Sequence, residues 1–185
     1  MEKLTYSQPP KEAENQQITI QLDGNSIGTI SLFYPTKLHQ LMNQFISGQW
    51  AHLQVETSDG NELRIIQANG YLPYKERHWT VLNGNQVIGK IKEELTPQAQ
   101  VHSLTFFNSE QVIEAKKGHI KGSSKQGTLE EKGGEDGSVE LVLQADSDYI
   151  RNGITTAHTV TLHHSSRDPL LLAAINYLLR LTEKE

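Results

Sequence analysis

Apolar and polar residues alternate along this chain in short runs separated by tight-turn signals. Residues 18–22 alternate, Asp23-Gly24-Asn25 interrupts them, and residues 27–33 alternate again. The unit recurs as residues 50–56, Asp59-Gly60-Asn61 and residues 62–68, and once more as residues 78–82, Asn83-Gly84-Asn85 and residues 86–91. Alternation marks a strand with one face buried. Asp-Gly or Asn-Gly between two such runs marks a hairpin, because the turn needs positive φ. Ile27-Gly28-Thr29-Ile30 in the first unit echoes Ile88-Gly89-Lys90-Ile91 in the third. A glycine inside a returning strand predicts a bulge or another element pressed against the backbone. The irregular spacing of the units argues for a meander of hairpins and not a solenoid. Further strands are expected at residues 101–107, 111–115, 139–144 and 159–164, with weaker candidates at 118–122 and 126–131, for a total of about ten to twelve. Residues 118–137, rich in Gly, Lys, Ser and Glu, read either as exposed edge strands or as a mobile loop.

Two segments follow a helical period instead. Leu38, Leu41, Met42, Phe45 and Ile46 fall on one helical face, with Thr36 able to cap the start and Gly48 the end. This predicts a surface helix packed on the sheet. At the other end of the chain, Asp168 suits an N-cap and Pro169 the first helical position. From Leu170 to Leu179 the apolar residues, among them Leu171, Leu172, Ile175, Leu178 and Leu179, cover every side of the cylinder, and only Asn176 is polar. A helix that is apolar all round must be surrounded. Many strands and one such helix predict a mainly β fold with two helices: a closed antiparallel barrel of about 12 strands around a buried hydrophobic C-terminal helix. Dimensions agree, since fourteen helical residues and a six-residue strand each span about 20 Å.

The chain has 185 residues, a length suited to one ordinary domain. The expected organisation is a flexible N-terminal tail, residues 1–16, and a single domain over residues 17–185. The tail is polar, with Pro9-Pro10 and no apolar stretch, so it does not read as a secretory signal. No apolar run approaches the roughly 20 residues of a membrane-spanning helix. There are no cysteines, hence no thiolate metal site and no cysteine nucleophile. Together these features suggest a cytoplasmic protein. The net charge of −5 argues against nucleic acid as a partner.

The order of these elements resembles the tubby-like superfamily, which includes the tubby C-terminal domain, the phospholipid scramblases and the LURP-one-related proteins. Two features carry the likeness. One is Asp168-Pro169 followed by an apolar helix that runs almost to the chain's end. The other is the hairpin of residues 78–91, whose Gly89-Lys90-Ile91 resembles the Gly-Lys-hydrophobic step of a tubby strand. Glu183 and Glu185 depart from tubby's own C-terminal signature, so the chain resembles a distant, small bacterial-type member. The resemblance implies a non-enzymatic barrel, peripheral to a membrane, that binds an anionic lipid or a protein partner on its outer surface, with no cofactor. In tubby a Lys and an Arg two apart hold the lipid phosphate. Lys75 and Arg77 stand in the matching place here, and Lys90 lies on the neighbouring strand. Residues two apart in a strand share a face and could reach one phosphate. The simpler reading is a pair of solvated strand-end charges.

Other constellations say less. Lys116, Lys117, His119, Lys121 and Lys125 form a basic stretch, followed by acidic residues that nearly cancel it. His158, His163 and His164 lie near Asp146 and Asp148, the residue types of a divalent-metal site, but adjacent strand residues point to opposite faces. No nucleophile elbow, phosphate-binding P-loop or H-E-x-x-H motif occurs. An intracellular barrel carrying a small apolar ligand in its lumen is the alternative function, and a metal-dependent hydrolase using the His/Asp cluster is a third.

Overall fold

Three glycines in the left-handed region set the course of the first half of the sheet. Gly24, Gly60 and Gly84 have φ of 84°, 82° and 56°, and Asp23 joins Gly24 at 49°. Each sits at the turn where Asp-Gly or Asn-Gly predicted one. The computed structural model describes residues 2–8, 17–38, 40–41, 52–68, 76–96, 101–109, 112–121, 124–132, 139–149, 156–162 and 168–182. Its strands are β1 (Glu2–Gln8), β2 (Ile18–Leu22), β3 (Asn25–Leu32), β4 (Leu53–Thr57), β5 (Glu62–Gln67), β6 (His78–Asn83), β7 (Gln86–Thr96), β8 (Val101–Phe107), β9 (Val112–Lys121), β10 (Ser124–Lys132), β11 (Val139–Tyr149) and β12 (Thr156–Leu162), followed by one helix, α1 (Pro169–Thr182).

The fold is mainly β. The ten strands β2–β11 pair in chain order as an antiparallel meander. β12 extends the meander beyond β11. β1 pairs with β12 over seven residues, from Glu2↔Leu162 to Gln8↔Thr156, and with β2 over two, Leu4↔Leu22 and Thr5↔Gln21. The helix α1 packs against the sheet, touching β3, β4, β8, β9 and β10.

Both glycine expectations for the returning strands hold together. Ile20 pairs with Gly28 and Gln21 with Ser26, so Ile27 is the extra residue of a bulge. Val81 pairs with Gly89 and Leu82 with Val87, so Ile88 is its counterpart in the second hairpin. Each glycine is also crowded. A Cβ on Gly28 would lie 2.4 Å from the Glu56 carbonyl oxygen and 3.0 Å from a Leu170 methyl, and one on Gly89 would lie 2.4 Å from the Phe106 ring.

The face of the sheet toward α1 carries the core: Ile18, Ile20, Ile30, Leu53, Val55, Leu63, Ile65, Trp79, Val81, Ile91, Leu104, Phe106, Ile113, Ala115 and Leu129 are all buried. They alternate with outward residues, which is why the sequence reads with period two. In α1 every residue from Leu170 to Leu179 is buried, including Leu171, Leu172, Ile175, Leu178 and Leu179. The helix starts where its cap predicts. Asp168 Oδ1 accepts from the backbone N–H of Leu170 at 2.9 Å and of Leu171 at 3.3 Å, which satisfies two first-turn donors.

Two expectations need correction. Polar composition and Pro9-Pro10 predict a tail over residues 1–16, yet Glu2–Gln8 form β1. Leu4 is fully buried and Tyr6 is 4% exposed. Only alternate residues of this short strand need be apolar, and Leu4 and Tyr6 are enough. The second concerns the amphipathic segment near Leu38. Lys37, Leu38, Gln40 and Leu41 are helical, and the Gln40 N–H donates to the Thr36 carbonyl at 3.3 Å. Leu38 is 63% and Leu41 48% exposed, against the buried face expected of them. Met42, Phe45, Ile46 and Gly48 lie outside the described residues. Residues 118–121 and 124–132 belong to β9 and β10, so the strand alternative applies to this part of the 118–137 segment.

Candidate functional site

Two groups of residues break the rule of apolar inside and polar outside, and they lie on opposite faces of the sheet. The inner group lies on and beside β5, β6 and β7, and Arg77 reaches from it to the C-terminus of α1. Arg77 is 3% exposed and Glu93 2% exposed. Arg77 Nε donates to Glu93 Oε2 at 2.8 Å, Nη2 to Oε1 at 2.6 Å, and the Arg77 backbone N–H also to Oε2 at 3.1 Å. Nη2 donates further to the Thr182 carbonyl at 3.0 Å. The guanidinium thus meets one of the carbonyls that a helix end leaves without an intrahelical partner, and it places positive charge at the negative end of the helix dipole. It also lies 5.7 Å from the centre of the Trp79 ring. Nearby, the N–H of Gln67 on β5 donates to Nδ1 of His52, the residue before β4, at 3.0 Å, and both residues are buried. At mid-helix, Asn176 Nδ2 donates to the Tyr6 hydroxyl at 2.6 Å, joining α1 to β1. Arg77 and Tyr6 thus tie the sheet to the helix, and all of these groups are buried.

This geometry corrects the expectation for Arg77. It is neither a solvated strand-end charge nor a surface phosphate ligand, because its guanidinium is buried and bound to a carboxylate. Position parity gives the reason. Arg77, Trp79 and Val81 point inward, whereas Lys90 and Lys92 on β7 point outward. Arg77 and Lys90 therefore lie on opposite faces and cannot hold one phosphate together. Lys75 lies outside the described residues, so its pairing with Arg77 is not described. The side chains of Lys116, Lys117, His119, Lys121, Lys125, Asp146, Asp148 and His158, and all of His163 and His164, lie outside the description too. Among the described residues no three His, Asp or Glu side chains group as a metal site.

The outer group surrounds Lys90. Lys90 is exposed and lies opposite Thr80 on β6 and Phe107 on β8. Phe107 in turn lies opposite Val112 on β9, and Leu82 opposite Val87. Phe107 is 39% exposed and Val87 55% exposed, with Leu82 and Val112 half-buried. Elsewhere the outward positions of the described strands are mostly Thr, Gln, Glu and Lys. Here four apolar side chains face outward around a cation. Among the described residues no ion pair involves Lys90, while Lys92, two residues along, reaches Glu76 at 3.0 Å. Hydrogen bonding to Glu76, with the attraction of its charge, raises the Lys92 pKa above the usual lysine value.

Sequence reasoning singled out Lys90 but missed its apolar surroundings. The signal was present: once inward parity is assigned to Val81, Ile91 and Phe106, the apolar residues Leu82 and Phe107 must face out.

A family-model scan, a comparison with curated proteins and a comparison with solved structures each give no match to this chain. Among the described residues no helix is long and apolar enough to cross a membrane.

Proposed function

We propose that the chain is a non-enzymatic, tubby-like domain that docks on an anionic membrane surface through the outward patch around Lys90. In this reading the sheet closes as a twelve-stranded antiparallel barrel with α1 as its filling. The pairing of β1 with both β2 and β12, and the burial of α1 from Leu170 to Leu179, support the closure. A filled interior also favours an outer-surface function over a small apolar ligand carried inside.

The observation that carries the functional reading is the exposed Lys90 beside the exposed Phe107 and Val87. Contiguous apolar side chains on a surface mark an interaction site. An aromatic ring and a lysine together suit the headgroup level of a bilayer, where the ring buries its apolar body and the ammonium meets lipid phosphate. A specific protein partner would need roughly 800 Å² on each side, far more than two strongly exposed side chains provide. The net charge of −5 works against anionic surfaces, so docking must be local and sensitive to salt.

Co-sedimentation with phosphatidylcholine vesicles, with and without phosphatidylserine, tests this function. Binding is expected only with the anionic lipid. A lysine near such a surface contributes about 1 kcal/mol, so Lys90→Glu should weaken binding by about fivefold or more. Phe107→Ser should weaken it independently of salt. No binding to anionic vesicles, or binding indifferent to both substitutions, would overturn the proposal.

A further inference from the structure

The outward patch around Lys90 has a second cation at its border, and a neighbouring carboxylate holds it. On β5, Leu63, Ile65 and Gln67 are buried, so Glu62, Arg64 and Ile66 take the outward positions. Arg64 lies opposite Leu82 on β6, and Leu82 opposite Val87 on β7, so Arg64 borders the apolar part of the patch. Thr80, the register partner of Lys90, is two residues from Leu82. Arg64 is therefore two strands over and two positions along from Lys90, about 12 Å between backbones. Its guanidinium is engaged: Nε donates to Glu62 Oε1, and Nη2 to Glu62 Oε2 at 3.1 Å. The two side chains keep 43% and 30% exposure, so this pair lies at the surface.

We infer that Glu62 masks Arg64, and that lipid phosphate takes the place of Glu62 on the guanidinium when the patch docks on an anionic membrane. This rests on the docking proposed above and adds its regulation: a second cation and the carboxylate that withholds it. Three observations support it. The first is a shortage of charge. A lysine at an anionic surface strengthens binding only about fivefold, and here it does so on a chain of net charge −5. A second cation at the border of the same patch answers that shortage. The second is that the exchange is inexpensive, because exposed ion pairs contribute little to stability and are screened by salt. The third is geometric. A guanidinium has five N–H donors, and Glu62 takes only the edge formed by Nε and Nη2. The edge that includes Nη1 can meet a phosphate before the carboxylate lets go, and a planar guanidinium suits phosphate oxygens.

Co-sedimentation of full-length variants with phosphatidylcholine vesicles containing phosphatidylserine, at low ionic strength, tests the mask. Glu56 supplies the control. It lies opposite Glu62 on β4, is exposed, and accepts from Gln54 Nε2 at 2.7 Å, so Glu56→Gln removes the same charge without touching Arg64. Glu62→Gln should tighten binding about fivefold, clearly more than Glu56→Gln. In an Arg64→Gln background the two substitutions should become equal. Equal gains with Arg64 present, or an excess for Glu62→Gln that survives Arg64→Gln, would overturn the mask while leaving the docking intact. No binding by the unmodified chain and Glu62→Gln alike would overturn the docking itself, and the mask with it. The Arg64 Nε–H signal of the unmodified chain gives a second readout by NMR. It should shift when phosphatidylserine bicelles are added and stay in place with phosphatidylcholine alone. An unmoved signal in a bound sample would contradict the exchange.

Discussion

Single residues in this chain have effects that can be ranked by what they touch. Gly28 and Gly89 occupy equivalent places in two bulged hairpins, but their neighbours differ. An alanine at either should cost about 1–3 kcal/mol, the usual range for overpacking a core. At Gly89 the obstacle is the Phe106 ring, so Phe106→Leu should recover part of the loss in the double variant. At Gly28 the obstacle is the Glu56 carbonyl oxygen, which belongs to the backbone, and no side-chain substitution should relieve it. Double-mutant cycles from denaturant melts distinguish the two. Arg77 and Glu93 form a buried pair, where removing one partner leaves an uncompensated charge. Arg77→Met should destabilise by about 3–5 kcal/mol, and Arg77→Met/Glu93→Leu by clearly less, since both charges leave together. Glu62 is a milder case at the surface. Its hydrogen bond to Arg64 lowers its pKa below the ordinary carboxylate value, outweighing desolvation, which acts the other way, and the attraction of the Arg64 charge adds to the lowering. A lowered carboxylate pKa gives stability that is present above the unfolded-state pKa and is lost as pH falls through the folded-state value. An NMR titration should find the Glu62 midpoint below that of an ordinary glutamate, moving upward in Arg64→Ala. An unchanged midpoint in that variant would contradict the pairing.

Elements were legible to different degrees, for physical reasons. The hairpins around Gly24, Gly60 and Gly84 and the helix α1 could be read because each is specified twice, once by its period and once by its turn or cap. β1 could not, because two buried residues in a polar stretch give too short a pattern to outweigh Pro9-Pro10. The segment around Leu38 shows the reverse: helical spacing predicts an apolar face, but spacing cannot say whether that face is covered. The Lys75–Arg77 pair, carried by the resemblance, failed at Arg77 because sequence spacing says that residues two apart share a face without saying which face. Two predictions belong at this scale. Leu172→Asp or Ile175→Asp should abolish folding, since each places a charge in the core of α1; a soluble, cooperatively melting variant would refute the buried helix. Removing residues 1–8 should lower the melting temperature by about 10 °C or more, because Leu4 and Tyr6 each bury about 1.5–3 kcal/mol of apolar surface. An unchanged melting temperature would return Glu2–Gln8 to the status of a tail.

At the scale of the whole molecule, the chain's two ends meet. The first strand lies against the last one, and Tyr6 on β1 meets Asn176 and Tyr177 on α1, the two tyrosine rings standing edge to face at 6.4 Å. The proposed barrel depends on this meeting. If β1 did not bridge β2 and β12, the sheet would be open and the face that carries α1 would not be an interior. Nuclear Overhauser contacts of the Leu4 backbone test that bridge most directly. Contacts from Leu4 to both Leu22 and Val160 are predicted. Contacts to one of them alone would mean an open sheet and would contradict the closed architecture.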